Sequence, residues 1–400
     1  FYMEESMKIN DIYEVTINDE DDIGNGITRI DNFVVFVPYA LKNEKIKVKI
    51  TKINKRFATA KIEEIINIDD RRQCAKCKIF NECGGCSFLH LSFNEEKKKK
   101  IDFINKLFNT NVKEILTNNE YNYRNKATFH VKNGMIGYYS ENTNNLVEFD
   151  NCLLLDNRIN EVYNVLKNIN LSGVSEVVVR TSKNNIMVIL KGQKEEFNYD
   201  ELVNKIKIDS LYLNDKLLYG SAYIIEELGN IKYSIYPNAF FQINTDNMKI
   251  MYDKVKEYAG SGNKLLDLYC GTGTIGIYLK ENFEEVTGIE VNKEAILNAN
   301  INKNLNNLRN INFICGDASI AKNNDYDVIV VDPPRSGLSK KVIDFLNKSN
   351  AKTIVYVSCN PKTLKRDLDL LAKYSMTKLE CINMFNKTKH CEVITSLERI

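Results

Sequence analysis

The stretch Lys264-Leu265-Leu266-Asp267-Leu268-Tyr269-Cys270-Gly271-Thr272-Gly273-Thr274 constrains the fold more than any other. An apolar run of strand length enters a glycine-rich turn, and the residues beyond it carry a helical pattern. Glycines in such a turn let the backbone approach a ligand closely at a helix N-terminus. After about residue 250 the rhythm stays strand–helix. Runs near 264–269, 284–289, 311–315, 326–331, 353–358 and 391–397 read as strands, with a helix over 292–305. That predicts a doubly wound, mostly parallel sheet, whose ligands bind outside the carboxyl ends of its strands.

The residues at those ends are the candidate site. Glu290 closes the second strand, where an acid can hold both ribose hydroxyls, and Asp317 follows the third, suited to an adenine edge. With the Gly271 turn they resemble the S-adenosylmethionine site of Rossmann-like methyltransferases. Gly276 occupies the sixth position of a dinucleotide fingerprint, so spacing alone leaves that alternative open. The fourth strand ends in Asp332-Pro333-Pro334-Arg335. Amino-group methyltransferases carry an aromatic where Arg335 stands, which argues against N-methylation. Cys359, at the end of the fifth strand in Ser358-Cys359-Asn360-Pro361, is a nucleophile candidate, the alternative being a buried inert thiol. Glu392, in His390-Cys391-Glu392 at the opening of the last strand, is a base candidate or simply a solvated acid.

Upstream the pattern is β. Lys45-Ile46-Lys47-Val48-Lys49-Ile50 alternates strictly, which turns Ile46, Val48 and Ile50 inward and the three lysines outward. Lys42 to Lys61 holds eight basic residues and one acid, Glu44, so a small barrel with a phosphate-binding face is expected over 7–65, unless the lysines only keep an edge soluble. Ser92 with Glu95 reads as a capping box opening a helix whose Lys97–Lys100 run forms a solvated face. Asn133-Gly134 between alternating runs signals a hairpin.

With 55 Lys+Arg against 53 Asp+Glu, net charge names no partner, so any basic surface is local. Mean hydropathy is −0.33, and no apolar run nears the ~20 residues of a membrane span. The opening Phe1-Tyr2-Met3-Glu4-Glu5 lacks the regions of a secretory leader, and a soluble cytoplasmic chain is expected. Five of the ten cysteines fall early, at Cys74, Cys77, Cys83, Cys86 and Cys152, where metal or catalysis is a better reading than disulfides.

The Cys-x5-Cys-Gly-Gly-Cys block, Phe240-Phe241-Gln242-Ile243-Asn244, Asp-Leu-Tyr-Cys-Gly, Asp-Pro-Pro-Arg, Ser-Cys-Asn-Pro and His-x-Glu follow one another in a single family order. The chain resembles the RNA uracil-5 methyltransferases that make 5-methyluridine in 23S rRNA, over nearly its whole length. The resemblance implies a multidomain chain: a TRAM or OB-like β-barrel over 7–65, a central α+β RNA-binding domain with an iron–sulfur site over 66–250, and an α/β Rossmann-like class I methyltransferase domain over 251–400. It implies that Cys359 is the nucleophile and Glu392 the base, with Gln242, Tyr269, Gly271, Glu290, Asp317 and Asp332 at the S-adenosylmethionine site. Thr274 stands where the family often has Asn. Cys77, Cys83, Cys86 and Cys152 would ligate a [4Fe–4S] cluster; the extra Cys74 also permits a zinc reading. The implied partner is 23S rRNA, the implied state a monomer without membrane contact. A tRNA substrate, a non-catalytic RNA-binding assembly protein and an iron–sulfur oxidoreductase are the competing readings.

The chemistry accounts for the residue types. Uracil C5 is too weak a nucleophile to take a methyl group from a sulfonium. A thiolate added at C6 makes the ring an enolate, and a base then removes the C5 proton so that the thiolate can leave. A free thiol of pKa ~8.5 is only ~3% ionised at neutral pH, so the site must lower Cys359 or deprotonate it on addition. The target base must also leave its stack.

Overall fold

Alternation in Lys45–Ile53 drives the first unit: Ile46, Val48 and Ile50 are fully buried with Val35, Val37 and Ala58. The computed structural model describes residues 7–140, 143–193, 196–321 and 325–400. Residues 1–5, on which the leader reading rests, lie outside them. The chain forms two compact units, one running to Phe103 and including Lys387–Lys389, the other Ile104–Asn386 with His390–Ile400.

In the first unit, Ile12–Thr16 pairs with Lys45–Ile53, and Asp19–Glu20 pairs with Asn25–Ile30. This nearly continuous segment therefore has partners from both ends of the sheet. Phe33–Pro38 and Phe57–Asn67 complete the circuit as a small six-stranded barrel. The lysine face differs from its reading. Lys45 pairs with Glu14 at 2.6 Å and Lys47 with Glu64 at 2.7 Å, acids from flanking strands that a local count does not see. The Lys97–Lys100 run is solvated only in part, with Lys98 exposed and its neighbours drawn inward. Lys100 is 3% exposed and bonds Glu96 at 2.8 Å, and Lys99 bonds Glu20. The capping role of Ser92 is present, its Oγ accepting the Glu95 N–H at 3.3 Å.

Packing in the second unit joins its earlier and later halves. Val178, Met187, Ile189 and Tyr212 share an apolar cluster with Val330, Val355 and Ile394, so the change of rhythm near residue 250 does not separate two bodies. A seven-stranded mixed sheet includes Lys126–Lys132 and Met135–Tyr139, joined by Asn133 and Gly134, both at positive φ as a tight hairpin needs. The second seven-stranded sheet carries β1 (Gly262–Leu268), β2 (Phe283–Glu290), β3 (Ile311–Cys315), β4 (Val328–Val331), β5 (Thr353–Ser358), β6 (Tyr374–Ile382) and β7 (Glu392–Arg399) in the order 3-2-1-4-5-7-6. β1 to β5 are parallel, and β7 lies antiparallel between β5 and β6. The helices α1 (Thr245–Ala259), α2 (Thr274–Leu279), α3 (Lys293–Leu305), α4 (Lys340–Lys348) and α5 (Pro361–Leu370) accompany it. Every strand expected after residue 250 is present; β6, an edge strand with a bulge, was not foreseen. Among the described residues no helix is long and apolar enough to cross a membrane.

Candidate active site

The turn after β1 is built from left-handed residues. Tyr269 (φ 62°), Gly271 (φ 53°) and Gly273 (φ 78°) reverse the chain, and the Gly273 N–H closes the turn on the Cys270 carbonyl at 2.8 Å. Two glycines serve different needs. A Cβ on Gly273 would lie 2.4 Å from the Phe313 ring, whereas one on Gly271 would meet no protein atom within 4 Å. The open side of Gly271 faces a cleft of about 1110 Å³. Glu290, at the end of β2, is aimed by two backbone donors, Gly271 N–H at 3.2 Å and Asn292 N–H at 2.9 Å.

Topology gathers the rest. Because β7 runs antiparallel to β5 with Val393 opposite Ser358, its first residue lies at the end of the sheet where the parallel strands finish. Glu392 thus comes to Cys359 from 33 positions away in sequence. Gln242, Tyr269, Gly271, Glu290, Asp332, Cys359 and Glu392 all line the one cleft. Asp317 does not. It is exposed and caps the turn Ala318–Ile320 through the Ser319 N–H, so the structure does not bring it to these walls. Thr274 is there, its hydroxyl bonded by Tyr252 Oη at 2.7 Å.

Electrostatics runs against a resting thiolate. Burial first, then the carboxylates of Glu392 and Asp332, pushes the Cys359 thiol up to about 11, and Arg335 opposes them. Glu392 is held well above the usual carboxylate range by burial, with Asp332 and Cys391 adding to it. Asp332 keeps some exposure because it faces the cleft, yet protein surrounds its carboxyl closely enough for desolvation to lift it to about 7. Of the two routes to a thiolate, these surroundings do not favour the first, a lowered resting pKa. Arg335, which sequence reasoning noted only as a missing aromatic, is the cation that offsets this acidic group. Its carbonyl is tied to the cysteine loop by Asn360 Nδ2 at 3.1 Å and Thr363 Oγ1 at 3.2 Å.

The early cysteines are divided between the two units. Cys77, Cys83 and Cys86 belong to the first unit and Cys152 to the second. Among the described residues no three His, Cys, Asp or Glu side chains are placed to hold a metal ion. No step below is routed through a metal at these cysteines.

A 3-2-1-4-5-7-6 sheet with a glycine turn, an acid closing β2 and a cleft at its strand ends defines a class I S-adenosylmethionine-dependent methyltransferase. Comparison narrows the class. Residues 317–400 match the tRNA (uracil-5-)-methyltransferase family model, 7–62 the TRAM domain and 237–351 the methyltransferase small domain. An uncharacterized RNA methyltransferase of Clostridium acetobutylicum is 32% identical over 98% of this chain and 98% of its own. One from Clostridium tetani is 33% identical over 97% of this chain and 96% of its own. The crystal structure of Pyrococcus abyssi tRNA (uracil-54, C5)-methyltransferase in complex with S-adenosyl-L-homocysteine superposes with a TM-score of 0.83 at 25% identity, covering 96% of this chain and all of the other. The chain belongs to the TRAM-containing RNA uracil-5 methyltransferase family.

Proposed function

We propose that the protein methylates C5 of uracil in 23S rRNA through a covalent bond between Cys359 and C6 of the base. One observation carries the mechanism: Cys359 and Glu392 come from adjacent antiparallel strands to one wall of the cleft that holds Gly271 and Glu290. S-adenosylmethionine, when bound, supplies an electrophilic methyl group. Glu290 is oriented for ribose hydroxyls, and the bare Gly271 leaves room beside the turn. Cys359 adds to C6 as its proton passes to a neighbouring carboxylate, and the electron pair reaches C5. After methylation, Glu392, its own proton first given up to the open side of the cleft, takes the C5 proton, the C6–S bond breaks, and the thiolate is released. The raised affinity of Glu392 for a proton suits it to a carbon acid.

Transfer RNA is the second reading, favoured by the Pyrococcus neighbour, whose match covers 96% of the chain. Mapping 5-methyluridine in rRNA and tRNA from cells with and without the protein decides between them. Sites lost from tRNA alone would overturn the rRNA assignment. The [4Fe–4S] proposal for Cys77, Cys83, Cys86 and Cys152 stands on the cysteine pattern. Gly84 at φ 68° ends the short helix Phe80–Cys83 and turns the chain back before Cys86. About four irons per chain after anaerobic purification support it, and stoichiometric zinc overturns it.

A further inference from the structure

The segment 236–242 between strand Ile231–Ile235 and α1 forms one wall of the cleft and carries Phe240 and Gln242. Its own backbone secures it poorly: the Ala239 N–H bonds the Tyr236 carbonyl at 3.1 Å. The wall is instead held from behind by the mixed sheet. Arg180, near the end of strand Val174–Thr181, is 3% exposed. Its Nη1 donates to the Ala239 carbonyl at 2.6 Å, and reaches those of Tyr236 at 3.3 Å and Pro237 at 3.5 Å. Next to it, Asn125 Nδ2 donates to the Gln242 carbonyl at 3.0 Å, and Asn125 N–H to that of Ile243 at 2.9 Å. Thr181 N–H ties the two anchors together on the Asn125 carbonyl at 2.8 Å.

The choice of residue is costly in free energy. A buried guanidinium requires a partner charge or full hydrogen bonding, and no carboxylate pairs with Arg180 among the described residues. Its cross-strand neighbour is Lys126, a second cation. An apolar side chain would fill the same space without a buried charge, but it could not grip three carbonyls at once. The position demands the grip.

We propose that Arg180 is a positioning residue for methyl transfer, its guanidinium fixing the carbonyls of Tyr236, Pro237 and Ala239 so that Phe240 and Gln242 stay set in the cleft wall. It rests on the methyltransferase reading of that cleft. It touches neither reactant and acts through the wall alone.

The test uses the full chain with Arg180→Gln and Arg180→Lys, read by calorimetric binding of S-adenosyl-L-homocysteine and by hydrogen exchange. Arg180→Gln should weaken binding tenfold or more and speed exchange in 236–243, while β1 to β5 exchange as before. Arg180→Lys keeps a charged donor and should restore most of the affinity. If Arg180→Gln does not fold, Arg180→Lys decides alone, with a loss of about threefold and faster exchange confined to 236–243 expected. Unchanged affinity in the folded variants, or exchange accelerated evenly over the unit, overturns the proposal. Failure of the unsubstituted protein to bind S-adenosyl-L-homocysteine would refute the methyltransferase reading instead.

Discussion

Reaction of Cys359 with a small neutral disulfide reagent, followed from pH 6.5 to 9.5, tests the electrostatics of the cleft. With its thiol pushed up to about 11, only about 0.01% of Cys359 is thiolate at pH 7, against ~3% for an ordinary cysteine. That is a deficit of about 300-fold. A more basic thiolate is more nucleophilic, and a Brønsted slope of 0.4–0.5 over ~2.5 units returns about 10–20-fold. Cys359 should therefore react roughly 15–30 times more slowly than glutathione at pH 7. Its rate should climb tenfold per pH unit to the top of the range, where glutathione has levelled off. Peptide mass spectrometry resolves Cys359 from the exposed Cys74 and Cys315. A plateau below pH 9, or a reaction faster than glutathione, would refute the reasoning and mean that the resting site stabilises a thiolate.

Other outcomes follow from other elements. Burial lifts Asp267 to about 8, so its contribution to stability is whole below about pH 4 and is lost as pH rises through about 8. Asp267→Asn, whose amide oxygen can still accept the Gly276 N–H, should gain as much as ~4 kcal/mol over the parent by pH 7 and nothing at pH 3.5, as read from urea midpoints. A variant less stable than its parent at pH 8 would contradict this. Gly273→Ala combines a left-handed φ with a 2.4 Å approach to Phe313 and should lose about 2–3 kcal/mol, measured the same way; a change below ~0.5 kcal/mol would mean that the turn relaxes easily. Lys45→Gln with Lys47→Gln should flatten the log–log salt dependence of RNA binding by less than one unit, because Glu14 and Glu64 already offset both charges; a drop near two would show that RNA displaces those acids.

Legibility in the sequence tracked how local each cause is. The turn at Tyr269–Gly273, the hairpin at Asn133-Gly134 and the cap at Ser92 are set by residues a few positions apart, and all three lie where the pattern puts them. Cys359 and Glu392, the proposed catalytic pair, were separate local candidates joined only through motif order; their meeting depends on β7 running antiparallel beside β5, which no local spacing encodes. The acidic partners of the lysines were hidden for a related reason. Glu14, Glu64 and Glu20 reach Lys45, Lys47 and Lys99 across strands or through the fold, beyond any window of sequence. Asp317 sits at the right strand end, but its carboxylate turns back to cap its own loop. Arg180 left no signal at all. It reads as one of four polar residues in the strand Val174–Thr181, and its significance appears only with the carbonyls it holds.

The covalent mechanism places Cys359 before methyl transfer and Glu392 after it, and one gel can separate them. Glu392→Gln, incubated with S-adenosylmethionine and target RNA, should transfer one methyl group and stall as a protein–RNA adduct. That adduct should run as a shifted band under denaturing conditions and be absent from Glu392→Gln carrying Cys359→Ala. Normal turnover by Glu392→Gln without a trapped band, or methylation of uracil C5 by Cys359→Ala, would contradict the account.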